Sequence, residues 1–318
     1  MRITVCICTH DRPDYLHDCL DGLRRQTVGT ERFDILVVDS ASSGDTPMHL
    51  ARLAADMDNA RLLRTEQSGV SLARNLGAAE TGAGYVAYID DDAIPALDWI
   101  ERIVTAIKER DPPPAMIGGR ILPRWEAPLP GWWPRQLRGT LSIIEFEGQD
   151  EFRSNALPAG LEPYGANMIV HVPSLRAIGS FAPQSGRRGT ALLSDEDVQI
   201  AWRMQSAGLS ARYDSRILVH HQIQAVRLTP RWLMSRLYWQ GVSAVQTHRL
   251  LGRPGSVWRE LPRRIAVAAL LAPFGLLPRQ STHLIQCRWR LAYSLGFILA
   301  ALTWGSWTPC AQPGGQTA

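Results

Sequence analysis

The chain has 318 residues, is 45% hydrophobic and 20% charged, and carries a formal charge of +4 at pH 7. That balance suits one large domain with an appendage, excludes a disordered or fibrous chain, and gives no ground for nucleic-acid binding. Lys108 is the one lysine among 34 basic residues, so cationic contacts fall to arginine, whose planar fork meets phosphate in a bidentate way.

The cysteines Cys6, Cys8, Cys19, Cys287 and Cys310 are odd in number and share no repeated spacing, which excludes a disulfide framework or a zinc site. MRITVCICTHDRP turns polar by residue 9, so no secretory signal is read and a cytoplasmic protein is expected.

Residues 2–8, RITVCIC, form a short apolar β-prone run that stops at the loop THDRP. In DYLHDCLDGLRRQT, Tyr15, Leu16, Cys19, Leu20 and Leu23 recur at helical spacing. FDILVVDSAS predicts a second buried strand reaching Asp39. DTPMHLARLAADM predicts a helix with Asp45 as its cap and Pro47 in its first turn. ARLLRTEQ, GVSLARNLGAAETG and YVAYID continue as strand, helix and strand. This alternation predicts a parallel sheet with helices on both faces, whose ligands sit beyond the carboxyl ends of the strands. The polar clusters at 9–12, 39–45 and 90–92 all fall at such ends and predict one site.

A helix over residues 97–110 is stopped by DPPPA, and MIGGRILP predicts a further strand. Residues 123–164, rich in Pro, Trp and Gly, keep no period and read as an ordered surface excursion. There Trp132 and Trp133 either stack on a sugar or lipid or plug the space beneath the loop. GANMIVHVPSLRAIGSF restores order, and PQSGRRGTALL is a loop whose Arg187 and Arg188 either clamp a phosphate or charged acceptor or face solvent. SDEDVQIAWRMQSAG predicts a helix capped by Ser194, with Asp197 at its third position. SARYDSRILVHH closes the core with a strand and the pair His220 and His221.

From about residue 226 the chain becomes arginine-flanked apolar helices. Their apolar runs fall below the roughly 18 residues of a membrane span. They predict either a packed helical appendage or peripheral contact with the inner face of the cell membrane through residues 258–304, with arginines on the water side. The expected division is an α/β domain over 1–222, a helical region over 223–306 and a disordered tail over 307–318. Within the first part, residues 1–110 and 115–222 form two halves.

The triplet Asp90, Asp91 and Asp92 concentrates like charge on a strand tip. A divalent cation relieves that repulsion and also meets a substrate phosphate, because Mg²⁺ and Mn²⁺ favour one or two carboxylates plus phosphate oxygens. The bland reading is an acidic start to the following helix.

The pieces VCICTHDRP, ILVVDSASSGD, GVSLARNLGAAETGAGYVAYIDDDA, GANMIVHVPSLRAIGSF and SDEDVQIAWRMQSAG, in order over residues 3–210, resemble family 2 of the glycosyltransferases. These are nucleotide-sugar-dependent enzymes of GT-A fold. A Rossmann dinucleotide site fails by contrast, since CTHDRP lacks the Gly-x-Gly-x-x-Gly turn.

The resemblance implies an α/β fold of GT-A type, with a Rossmann-like, mostly parallel central sheet flanked by helices and a C-terminal helical appendage. It implies that residues 1–222 are the catalytic domain, with 1–110 the nucleotide-binding half and 115–222 the acceptor half. It also implies that Thr9, His10, Arg12 and Asp39 line the base and ribose pocket, with Asp39 accepting from a base N–H and Ser42 and Asp45 completing the group, unless Asp45 is only the helix cap. Gly69 to Gly77 would close over the nucleotide, with Arg74 and Asn75 as the contacting members. Asp90–Asp92 match the Asp-x-Asp metal motif. Asp92 would be the ligand of Mn²⁺ or Mg²⁺, and Asp90 or Asp91 would serve the ribose or the metal's surroundings, the tripled Asp leaving the register open. His220 or His221 would add a metal ligand. Among Asp195, Glu196 and Asp197, the last matches the catalytic base best. Gly165 and Asn167 match the acceptor side.

The expected activity is inverting transfer of a sugar from a nucleoside diphosphate to an acceptor hydroxyl. The acceptor would be a glycan, a lipid-linked or cell-surface precursor, or a small natural product. The rivals are a nucleotidyltransferase of related fold and a silent nucleotide-sugar-binding membrane scaffold.

Overall fold

The computed structural model describes residues 1–152, 161–187, 191–275, 277 and 281–303. The tail expected over 307–318 and Arg188 lie outside them. Strand β1 (Ile3–Thr9) is buried along almost its whole length, as the run ITVCICT requires of a central strand. It pairs in parallel with β2 (Phe33–Ser40) and with β4 (Tyr85–Asp90), and β2 pairs in parallel with β3 (Ala60–Thr65). Helices α1 (Pro13–Arg24), α2 (Thr46–Ala55) and α3 (Val70–Glu80) make the crossovers. The register sets Thr9 beside Asp39 and Cys8 beside Asp90, so the expected clusters meet at one end of the sheet.

Beyond β4 the sheet departs from the expected parallel plan. Its order is β3-β2-β1-β4-β8-β6-β9-β5, with β7 (Gln149–Phe152) also pairing β9. Here β8 (Met168–His171) runs antiparallel to both β4 and β6 (Met116–Trp125). Strand β9 (Ala211–Ile223) is parallel to β6 and antiparallel to β5 (Ala93–Pro95) and β7. A parallel neighbour needs a crossover that returns the chain to the same end. The excursion after β6 instead delivers the chain to β8 from the site end of the sheet. Helix α4 (Trp99–Lys108) packs against β9. The short α5 (Val172–Ala177) follows β8, and α6 (Glu196–Ser206) precedes β9.

The C-terminal helices are α7 (Pro230–Leu250), α8 (Pro254–Gly275) and α9 (Thr282–Leu302). Helix α7 is bonded to the segment entering α6 and to α6 itself: Ser194 N–H donates to Ser243 Oγ at 3.0 Å, and Gln199 Nε2 to Thr247 Oγ1 at 2.8 Å. Helices α7 and α9 cross backbone to backbone. A Cβ on Gly241 would lie 2.1 Å from the Tyr293 carbonyl oxygen, and one on Gly296 only 1.9 Å from that of Tyr238. Only glycine permits that approach, and the crossing fixes α9 beside the sheet's polar end.

Candidate active site

A cavity of about 860 Å³ opens at the carboxyl ends of β1 and β4. Thr9, His10, Arg12 and Asp90–Asp92 form one wall, and Asp195–Asp197 at the start of α6 form the facing one. Arg74 joins the two walls. Its guanidinium, buried in α3, donates to Glu196 Oε1 at 2.8 Å and to Asp90 Oδ1 at 3.3 Å. A Cβ at Gly165 would stand 1.7 Å from Arg74 Nη2, so glycine there makes room for the bridge. Burial opposes the charge on Arg74, but the charges of Glu196 and Asp90 outweigh it and raise its pKa.

The three aspartates separate cleanly. Asp90 borders the cavity, and its Oδ1 accepts from Arg74. Asp91 accepts from Thr9 Oγ1 at 2.8 Å and from Arg12 Nη1 at 2.7 Å. Burial pushes its pKa up to about 6 against the pull of Arg12. Asp92 Oδ2 accepts from Arg12 and Arg227 at 2.9 Å and from Gln224 at 3.0 Å. Burial resists its ionisation, yet the charges of His221 and Arg227 hold it well below the usual carboxylate range.

The remaining oxygen, Asp92 Oδ1, lies 3.2 Å from His221 Nε2. His221 Nδ1 sits 3.0 Å from the Leu141 carbonyl, which can only accept, so Nδ1 carries a proton and Nε2 is the ring atom turned to Asp92, with Arg227 Nη1 3.4 Å away. With a lone pair on Nε2, the two atoms would both be able to reach one divalent ion. Among the described residues no group of three or more His, Cys, Asp or Glu could hold a metal, so protein ligation would stop at this pair. That suits an ion completed by phosphate and water. His220 points to the other side of β9, opposite Ile94, and does not border the cavity, which overturns its candidacy as a ligand.

Asp197 accepts from Gly165 N–H at 2.9 Å and from Val198 N–H at 2.8 Å. Burial, then the charge of Glu196, drives its pKa to about 7 despite Arg74 and both N–H groups. The expected Ser194 cap does not form. Asp195 precedes the helix at φ 72°, and Ser194 Oγ donates to Asp195 Oδ1 at 2.9 Å. Burial raises the pKa of Asp195 as well.

Other expectations are corrected. Asp39 is buried off the cavity, with Oδ1 taken by Ser42 N–H at 2.8 Å and Oδ2 by Arg64, its register neighbour on β3, at 2.7 Å. Ser42 Oγ accepts from Asp11 N–H, also away from the cavity. Asn75 is paired in both directions with the Phe181 backbone. Asn167 accepts from Trp99 Nε1 and donates to the Arg120 and Ile217 carbonyls, so it braces the core instead of meeting an acceptor. Trp133 is buried in a secondary core with Leu141 and Leu233, and Trp132 packs against it; both are plugs. Asp45 precedes α2 without a side-chain cap bond. Of the segment from Gly69 to Gly77, Gly69, Val70 and Arg74 border the cavity, as does Arg187.

Sequence reasoning missed Gln224 and Arg227, which follow the His pair within a few residues, and Trp232, Arg236, Trp289 and Tyr293 from α7 and α9. Burial lowers the pKa of Arg227 to about 10, with Asp92 opposing.

The family model for glycosyl transferase family 2 matches residues 4–157. A glucosyl-dolichyl phosphate glucuronosyltransferase of Haloferax volcanii is 26% identical over 251 residues, 76% of either chain. The chain is similar to family 2 glycosyltransferases, the family model covering just under half of its length. A pre-mycofactocin glycosyltransferase of Mycobacterium tuberculosis is 27% identical over 226 residues, 70% of this glycosyltransferase but 44% of that one. Among solved structures, a mannosyltransferase from Pyrobaculum calidifontis in complex with GDP-Man and Mn²⁺ aligns with TM-score 0.58 at 17% identity, over 94% of this chain and 86% of its own. S. aureus TarS in complex with UDP-GlcNAc gives 0.54 at 13% identity, over 96% and 92%. These likenesses carry the GT-A fold. The protein is a glycosyl-transfer enzyme, which sets aside the nucleotidyltransferase and silent-scaffold rivals.

Proposed function

We propose that this glycosyltransferase moves a sugar from a nucleoside-diphosphate donor to an acceptor hydroxyl with inversion, with Asp197 as the base and Asp92 and His221 holding Mn²⁺ or Mg²⁺. The observation that carries the reading is a buried carboxylate with a pKa of about 7 sharing one cavity with the Asp92–His221 pair. When bound, the cation would offset negative charge on the departing diphosphate. Asp197, about half ionised near neutral pH, takes the acceptor proton as the new glycosidic bond forms. Arg74 keeps Glu196 and Asp90 in register on either side of the transfer. Arg12 and Arg227 stand where developing phosphate charge needs fixed donors.

The names of the similar proteins support a GDP- or UDP-linked donor and a lipid-linked acceptor. The reading includes a cytoplasmic enzyme peripheral to the inner face of the cell membrane. A panel of UDP- and GDP-sugars, assayed with Mn²⁺ and followed by proton NMR of the released or transferred sugar, tests it. Consumption of at least one donor with inverted anomeric configuration is expected. Consumption of none, or retention of configuration, rejects it.

A further inference from the structure

We infer that the outward face of α8 docks on a bilayer surface rich in anionic lipid head groups. Residues 265–275, IAVAALLAPFG, contain no charge. A helix that is apolar all round belongs inside a core or a membrane, yet α8 is packed on one side only. Val257 and Leu261 are buried there, and Arg264 lies over the Tyr293 ring of α9 at 4.3 Å.

On the opposite side Trp258, Ile265, Leu270 and Phe274 are 50, 49, 71 and 40% exposed. With Pro262, Ala266, Ala269 and Pro273 between them they form one continuous stripe at helical spacing. Helix α9 adds a second exposed row, Leu295 and Leu299. Large apolar stripes facing solvent mark an interaction surface.

Charge identifies the occupant. Residues 251–303 hold seven arginines and one acid, Glu260, which pairs with Arg264. Exposed Arg259 and Arg263 edge the stripe. A second copy docking through the same face would bring these arginine edges together with no acid left to meet them. Anionic head groups supply the missing charge. Among the described residues no helix is long and apolar enough to cross a membrane, so the face would lie on the bilayer. Helix α9 packs against α8 and gives Trp289 and Tyr293 to the cavity, so docking brings the cavity to the membrane surface. The inference deepens the membrane placement in the proposed function and rests on it, while vesicle binding is read separately from donor chemistry.

The test is flotation of the full chain with phosphatidylcholine vesicles, with and without phosphatidylglycerol, beside light scattering of the free protein. Binding to the phosphatidylglycerol vesicles is expected. Leu270→Glu combined with Phe274→Glu weakens it about tenfold or more, with unchanged circular dichroism and donor hydrolysis. Arg259→Gln and Arg263→Gln each cost about fivefold on anionic vesicles. Absence of vesicle binding overturns the inference, as does undiminished binding by the glutamate pair. Self-association that the glutamate pair abolishes, without vesicle binding, would make the face a protein interface and overturn it too.

Discussion

Asp197→Asn is expected to lower turnover by about 10²–10⁴-fold, the usual contribution of a positioned base, while nucleoside diphosphate binding is retained. The carboxylate is placed by the backbone N–H groups of Gly165 and Val198, and burial brings its pKa to about 7. A carboxylate left at its ordinary value would be a poor proton acceptor at neutral pH. The wild-type rate should therefore fall as pH drops through about 7, and the residual rate of the variant should lack that limb. Stability runs the other way: the folded pKa exceeds the ordinary value of 3.8, so the folded chain holds a proton the unfolded chain has released. Asp197 thus contributes stability below about 4 that is lost as pH rises through about 7. Steady-state kinetics across this range, with calorimetric nucleotide titration, would decide. A variant with unchanged turnover removes Asp197 from the reaction.

Arg74→Met should cost about 3–5 kcal/mol of folding stability, the usual penalty for breaking a buried ion pair from one side. Arg74 is 3% exposed, and it meets carboxylates from two walls that chain connectivity leaves far apart. Removing the guanidinium leaves Glu196 buried beside Asp197 without the ion-pair partner at 2.8 Å. The ring of Phe181, 5.7 Å from the guanidinium carbon, also loses its partner. Urea unfolding of the two proteins measures the difference. A loss below about 1 kcal/mol would mean that the walls hold without the bridge, as a surface pair would allow.

The half of the fold that follows simple alternation was legible because each strand there is an unbroken apolar run closed by polar residues. Strands β5 and β7 were not legible, being three and four residues long with no pattern of their own. At the site, residue type pointed to Asp92, Arg74, Asp197 and one of His220 and His221, and of these Asp92, Arg74, Asp197 and His221 line the cavity. It could not separate these from Asp39, Asn75 and Asn167, which carry equally polar groups satisfied inside the fold. Burial beside Arg64, the Phe181 backbone or Trp99 is decided by packing, to which a single sequence is nearly blind. Trp289 and Tyr293 were hidden for another reason. Their helix reads as an apolar run, and only the close crossing at Gly241 and Gly296 turns one of its faces to the cavity.

The account stands most directly on calorimetric titration of UDP and GDP, in Mn²⁺ and in chelator, into the wild type, His221→Ala and His220→Ala. Mn²⁺-dependent binding of at least one nucleotide is predicted for the wild type and His220→Ala, with about tenfold or greater weakening in His221→Ala. Equal affinity in chelator, or equal losses in the two histidine variants, would contradict a cation held between Asp92 and His221.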